Sequence, residues 1–180
     1  MMERFWFSGY SATSLAELED ATGVNRRQLY RLRDTKRGLF LDALDNFTSR
    51  AGELHLADLE APDAGRSQIE STLHTLARPS STGWGRLGCL VCTASVDEEA
   101  MNDAETASRV RGFFRRIESA YANALARADE GSDVGHDTAE RRATARGLFG
   151  AHVALLVLAR AGVGEEVLRD IEVQAISTLD

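Results

Sequence analysis

Proline is nearly missing from this chain. Of 180 residues only two are proline, and both sit in loop-like stretches, Pro62 in EAPDAGRS and Pro79 in ARPSSTGWG. With so few helix breakers, long helices can run uninterrupted between those loops. Cysteine is as scarce: Cys89 and Cys92 form a single C-x-x-C with no second Cys or His pair at finger-like spacing, so a zinc site lacks its four ligands. The leading reading of the pair is two small, mostly buried apolar side chains in a helix, followed by a thiol near a ligand pocket, with redox or metal work last. Histidines 55, 74, 136 and 152 share no ligand spacing. No apolar run reaches the roughly 18 to 20 residues of a membrane span; the longest, Ala151 to Ala159, has nine and includes His152. The opening MMERFWFSGY carries mixed charge and too short an apolar stretch for a secretory signal, so the expected location is cytoplasmic. A nucleophile-base-acid set, a phosphate-cradling Gly loop and a metal cluster are also missing, so neither catalysis nor a cofactor is expected.

What remains is 43% hydrophobic and 27% charged, the composition of a globular protein long enough for one ordinary domain or a small module joined to a larger one. Ala, Leu, Glu and Arg predominate with apolar residues three and four apart, and β-alternation is missing, so the expected fold is all-α. Charge is distributed unevenly. Residues 1–50 carry a net +1 and residues 51–180 a net -8, which together make the chain's -7. Between Val24 and Arg37 six cations (Arg26, Arg27, Arg31, Arg33, Lys36 and Arg37) face one acid, Asp34. Such an asymmetry suits a nucleic-acid-reading head on a non-binding body.

Helix start signals divide the first part. Ser14-Leu-Ala-Glu17 has capping-box form and predicts a helix from about Leu15 to Thr22, ended by Gly23. Asn25-Arg-Arg-Gln28 repeats the pattern and predicts a second short helix from about Arg26 to Arg33. Two short helices around a Gly turn make a helix-turn-helix. A longer helix, about Lys36 to Glu53, should follow with Leu39, Phe40, Ala43, Leu44 and Phe47 on one face. Further helices are expected for about Arg66 to Ala77, Leu87 to Glu99, Asp103 to Asp129, Asp137 to Ala161 and Glu165 to Leu179.

In a helix-turn-helix the first turn of the second helix faces base edges and phosphates. Arg26, Arg27 and Gln28 occupy that turn; Arg pairs bidentately with guanine and Gln with adenine. Tyr30, Arg31 and Lys36 supply phosphate donors, with Arg37 beside Lys36 at the opening of the next helix. The competing reading is an Arg-rich solvated surface.

The stretch GYSATSLAELEDATGVNRRQLYRLRDTKRGLFLDAL resembles the DNA-binding head of the TetR/AcrR family of transcriptional repressors. The matching positions are Gly9-Tyr10, Thr13-Ser14, Gly23-Val24, Leu29-Tyr30, Lys36 and Leu39. GRLGCLVCTAS, residues 85 to 95, is similar to a body segment of one branch of that family. The resemblance implies an N-terminal head of three short helices on a larger helical body, with DNA contacts from Thr13, Ser14, Asn25, Arg26, Arg27, Gln28, Tyr30, Arg31 and Lys36. Three positions depart from the family pattern. Arg33 stands where an aromatic ring is usual, Arg27 and Gln28 stand where a small residue and Thr are common, and only Met1 to Ser8 precede the Gly-aromatic pair.

The expected domains are a head over residues 1–46 and an effector-binding, dimerising body over residues 47–180. AHVALLVLA, residues 151 to 159, has no polar face apart from His152, and such a helix must be covered on two sides, its own body and a second copy. With the stripe of the last helix this gives a four-helix homodimer interface through Leu148, His152, Leu155, Leu156, Leu168, Ile171, Ala175 and Leu179. The resemblance implies an effector pocket among the body helices. Its candidates are His74, Trp84, Cys89, Cys92, Phe113, Phe114, Tyr121, Phe149 and His152, and its ligand an apolar or aromatic small molecule. The expected function is therefore a ligand-responsive regulator that binds operator DNA as a dimer. The alternative is a helical dimer that binds a small molecule or protein without DNA.

Overall fold

A computed structural model describes residues 1–78, 87–129 and 138–179. All regular structure among them is helical, as expected. They gather into two compact units, Met1–Arg50 with Cys89–Phe113, and Ala51–Gly88 with Phe114–Asp180.

The first unit contains α1 (Met2–Ser8), α2 (Leu15–Thr22), α3 (Arg26–Leu32), α4 (Lys36–Ala51), α7 (Leu90–Ser95), α8 (Glu98–Asn102) and the beginning of α9 (Ala104–Asp129). Both capping boxes form. Ser14 accepts from the Glu17 amide while Glu17 accepts from the Ser14 amide, and Asn25 and Gln28 do the same at 3.0 Å in each direction. Gly23 closes α2 with φ 69°, the left-handed conformation that an L side chain resists. The unit's core is aromatic. Phe5 meets Phe40 edge-on at 5.1 Å, Trp6 meets Phe47 at 4.8 Å, and Phe47 reaches Phe113 of α9. Leu18, Leu29, Leu39, Leu44, Leu90 and Val91 fill the remainder.

The single helix expected over residues 87 to 99 is instead two, α7 and α8, with Cys89 just outside the first. The cause is Asp97. Its carboxylate caps α8 by accepting from the Ala100 amide at 3.1 Å and also accepts from the backbone N–H (2.8 Å) and hydroxyl of Ser11. These hydrogen bonds hold Asp97 in an extended conformation that interrupts the helix.

The second unit contains a π-helical turn (Gly52–Leu56), α5 (Ala57–Glu60), α6 (Arg66–Ala77), the remainder of α9, α10 (Thr138–Arg160) and α11 (Glu165–Ile176), closed by a 3-10 turn at Ser177–Leu179. The α-helical part of the expected Lys36–Glu53 helix ends at Ala51, where the π-helical turn takes over, and the Arg116 guanidinium lies against Gly52. A Cβ there would stand 2.5 to 2.8 Å from its atoms. Glu60 holds that guanidinium from both oxygens, at 2.7 and 2.8 Å. Leu59, Ile69 and Leu73 share the buried core with Tyr121, Leu148, Leu155 and Leu168. By length and composition α10 is apolar enough to cross a membrane. Its Ala145, Leu148, His152 and Leu155 are packed inside the unit.

Candidate nucleic-acid interface and body sites

Only Leu29 of α3 is buried; Arg26, Arg27, Gln28, Tyr30, Arg31 and Leu32 are all exposed. At about 100° per residue, Arg27 and Arg31 lie roughly 160° from Leu29 on either side, so they form the outermost ridge of the helix, flanked by Gln28 and Tyr30. Neither arginine has an ion-pair or hydrogen-bond partner among the described residues. The other cations are engaged. Arg26 has Glu19 at 3.9 Å, and Arg33 donates to Asp42 from Nε and Nη2, at 3.1 and 2.8 Å. Arg37, expected beside a DNA backbone, instead donates to Asp103 at 2.7 Å and Glu105 at 2.6 Å. That pairing is a correction. The Arg37 hydrogen bond, with help from the Thr106 amide, holds the Asp103 carboxyl down at about 2. Lys36 stacks its ammonium on the Tyr10 ring, 4.2 Å from the centroid.

Arg33, the residue in place of an aromatic ring, lays its stem over Gly38; a Cβ at Gly38 would meet the Arg33 Cβ at 3.0 Å. A small residue at 38 and an acid at 42 thus accommodate it, and sequence reasoning missed both partners. Gln28 accepts the Asn25 amide on its carbonyl oxygen in the capping box, which leaves its NH2 donors free for a ligand. Thr13 is fully buried and donates its hydroxyl to the Gly9 carbonyl at 2.6 Å, so its side chain supports the head and offers DNA no surface. Ser14 and Asn25 remain exposed at the two helix starts.

The effector candidates divide between the units. Cys89, Cys92 and Phe113 belong to the first; His74, Phe114, Tyr121, Phe149 and His152 belong to the second; Trp84 lies outside the described residues. In the second unit the Tyr121 hydroxyl and His152 Nδ1 make a buried hydrogen bond of 3.1 Å, and Phe114 meets Phe149 at 5.7 Å. Burial drops the His152 imidazole to about 3, with nearby His55 adding to the effect, and pushes the Tyr121 phenol up. His74 instead pairs with Glu172 at 2.9 Å, beside Arg78.

Of the interface candidates, Leu148, His152, Leu155 and Leu168 are at most 3% exposed, because their own unit encloses them, and they leave no side-chain surface for a second copy. Leu156, Ile171 and Leu179 are part-exposed, and Val157 and Val167 are exposed on the same two helices. Between α10 and α11 an open apolar groove of about 520 Å³ is lined by Gly147, Ala151, Val167, Ile171 and Ala175 among others.

No family model matches the chain. YezE of Bacillus subtilis (strain 168), an uncharacterized HTH-type transcriptional regulator, is 29% identical over 184 residues, covering 99% of this chain and 92% of YezE. The HTH-type transcriptional repressor ComR of Escherichia coli (strain K12) is 45% identical over 72 residues, 40% of this chain and 33% of ComR. Among solved structures, the TetR family transcriptional regulator CifR, as a cysteine mutant complexed with double-strand operator DNA, is 29% identical. Its TM-score is 0.72, over 98% of this chain and 91% of that one. A TetR family regulator from Cytophaga hutchinsonii, 14% identical, shares the fold with a TM-score of 0.80 over 99% of this chain and 90% of its own.

Proposed function

We propose that the chain, similar over nearly its whole length to TetR-family transcriptional regulators, is a repressor that binds a palindromic operator as a homodimer and is released by a small-molecule effector. The observation that carries this reading is the α3 ridge of Arg27 and Arg31, solvent-facing and without a partner among the described residues, while Arg26, Arg33 and Arg37 are tied to carboxylates. Residues 1–46 act as the DNA-reading head and residues 47–180 as the effector-binding, dimerising body, in the cytoplasm.

Arg27 and Arg31 stand four residues apart, a rise of about 6 Å, close to two base-pair steps of about 3.4 Å. Each guanidinium can pair with O6 and N7 of a guanine in the major groove. Gln28 and Tyr30 lie beside them; Ser14, Asn25 and Lys36 contact phosphates. Two heads one turn apart, about 34 Å, would read two half-sites. The α10–α11 groove with the part-exposed Leu156 and Ile171 and the exposed Val157 and Val167 is the surface we assign to the second copy. We assign an apolar or aromatic effector to the second unit, where Tyr121 and His152 supply the polar handle within an apolar helical core. Its binding lowers operator affinity by favouring a head spacing that no longer fits successive grooves.

Selection of sites from random DNA tests the reading. Each half-site should carry two guanines about two base pairs apart. Arg27→Ala and Arg31→Ala should each relax one of them at a cost of about 1 to 3 kcal/mol, whereas Lys36→Ala should weaken all sequences alike. Enrichment of no sequence at low salt, or unchanged affinity in both arginine variants, would leave the alternative of a helical dimer without DNA binding.

A further inference from the structure

We propose that Leu32 reads a thymine: its side chain packs on the 5-methyl group of a T beside the guanine paired with Arg31, and the Arg33–Asp42 pair behind it holds it in place. This inference rests on the operator-binding reading and adds to it a contact that carries no charge.

Leu32, the last residue of α3, is 59% exposed, whereas Leu29 one turn earlier is 1% exposed in the core of the same unit. At about 100° per residue Leu32 stands about 60° to one side of Leu29, and Arg26 about 60° to the other. Arg26 lies beside Glu19 of α2, whose carboxylate also accepts its backbone N–H, so that flank is turned toward α2. Leu32 therefore occupies the opposite flank, with Gln28 one turn before it and Arg31 next to it in the chain, and all three are exposed.

Arg33 explains why α3 ends with an apolar residue outside. It leaves the helix in an extended conformation (φ -151°, ψ 138°), and its side chain runs back to α4. Its stem lies over Gly38, and its Nε and Nη2 donate to one oxygen of Asp42 at 3.1 and 2.8 Å. Its Nη1 also stands 3.5 Å from the Leu32 carbonyl oxygen. The pair thus fixes the end of α3 from α4, and because the Arg33 stem occupies the surface at Gly38, Leu32 cannot fold back there.

A duplex supplies the missing apolar partner. The cations at 27 and 31 bring a polyanion to this helix, and the apolar group that the major groove offers is the thymine methyl. Leu32 follows Arg31 by a rise of about 1.5 Å, less than the roughly 3.4 Å between base pairs, so its base lies at or next to the pair that Arg31 reads. A protein partner would need a broad apolar surface, but the neighbours of Leu32, namely Gln28, Arg31, Arg33 and Asp34, are polar or charged. One apolar side chain among cations suits one methyl group among phosphates.

The test uses the full chain and an operator selected from random DNA, in which the thymine nearest the Arg31 guanine is replaced in one half-site by deoxyuridine, which lacks only the methyl. Wild type should bind the deoxyuridine operator about fourfold more weakly, the worth of one buried methyl group. Leu32→Ala should bind the two operators equally and should fold as wild type does, because the side chain is exposed. Asp42→Ala frees Arg33 without altering α3 and should bring the ratio of the two affinities close to one; a general loss of affinity or stability cancels in that ratio. Equal binding of both operators by wild type, or a selected site without a thymine there, overturns the contact. A fourfold ratio that survives Leu32→Ala gives the methyl to another residue and overturns it as well. A ratio unchanged in Asp42→Ala overturns the positioning role of Arg33. Selection that enriches no sequence overturns the operator reading and this inference together, whereas selected guanines without a methyl effect overturn this one alone.

Discussion

Lowering the pH from 7 to 5 should cost the second unit about 2 kcal/mol through His152 alone. The imidazole is 3% exposed, is hydrogen-bonded to the Tyr121 hydroxyl, and is held by burial at about 3, against 6.5 for an ordinary histidine. Its folded value is the lower one, so the unfolded chain takes up the proton first. The stability it confers is full above 6.5 and is lost as pH falls from there toward 3. Between pH 7 and 5 the unfolded state gains about 1.4 kcal/mol for each pH unit below 6.5, which sums to about 2 kcal/mol while folded His152 stays neutral. His55, also lowered by burial, pushes in the same direction, and carboxylates such as Asp103 titrate too low to matter in this window. Urea unfolding at both pH values, on wild type and His152→Gln, isolates the share of one residue: the variant should lose about 2 kcal/mol less than wild type. Direct titration of the imidazole by NMR supplies the same answer without a variant. A folded-state value near 6.5, or identical pH slopes in the two proteins, would refute the argument.

Three other outcomes follow from the packing. Ile171→Asp, on the accessible apolar face, should dissociate the dimer by sedimentation with the fold intact, whereas Leu155→Asp should unfold the chain, because an unpaired buried charge costs several kcal/mol; a dimeric Ile171→Asp protein would remove that face from the interface. Ser14→Ala should lower stability by about 1 kcal/mol in denaturant titration, the usual cost of a lost helix cap, and a change near zero would mean that α2 does not depend on its capping box. Gly52→Ala forces aside only the mobile end of Arg116 and should cost about 1 kcal/mol or less, the worth of an exposed ion pair; a much larger loss would show that the π-helical turn itself cannot accept a side chain.

What was legible in the sequence is what local chemistry decides. The α2 and α3 boundaries follow from two capping boxes whose partners lie three residues apart, and α6 begins and ends where its apolar spacing does. Distant partners decide the rest. Asp97 breaks a helix because Ser11, 86 residues away in sequence, donates to it, and Arg37 leaves the surface charge because Asp103 and Glu105 lie 66 and 68 residues on. Which side of α10 faces inward had no signal at all. In AHVALLVLA Leu155 and Leu156 are chemically alike, and only packing makes the first 0% exposed and leaves the second part-exposed. For the candidate site, the composition of α3 was evident, but its outward ridge required knowing that Leu29 is the one residue turned in.

The inward pairing of Arg33 and Arg37 bears on how salt governs encounter with a polyanion. At about 0.01 M ionic strength the screening length is about 30 Å, so DNA at a distance senses the whole chain, whose charge is -7, and is repelled. At about 0.15 M it is about 8 Å, and an approaching duplex feels only the patch around Arg27 and Arg31. Added salt should therefore first quicken association and then slow it, with a maximum at intermediate concentration, where a protein of uniformly basic surface would show only decline.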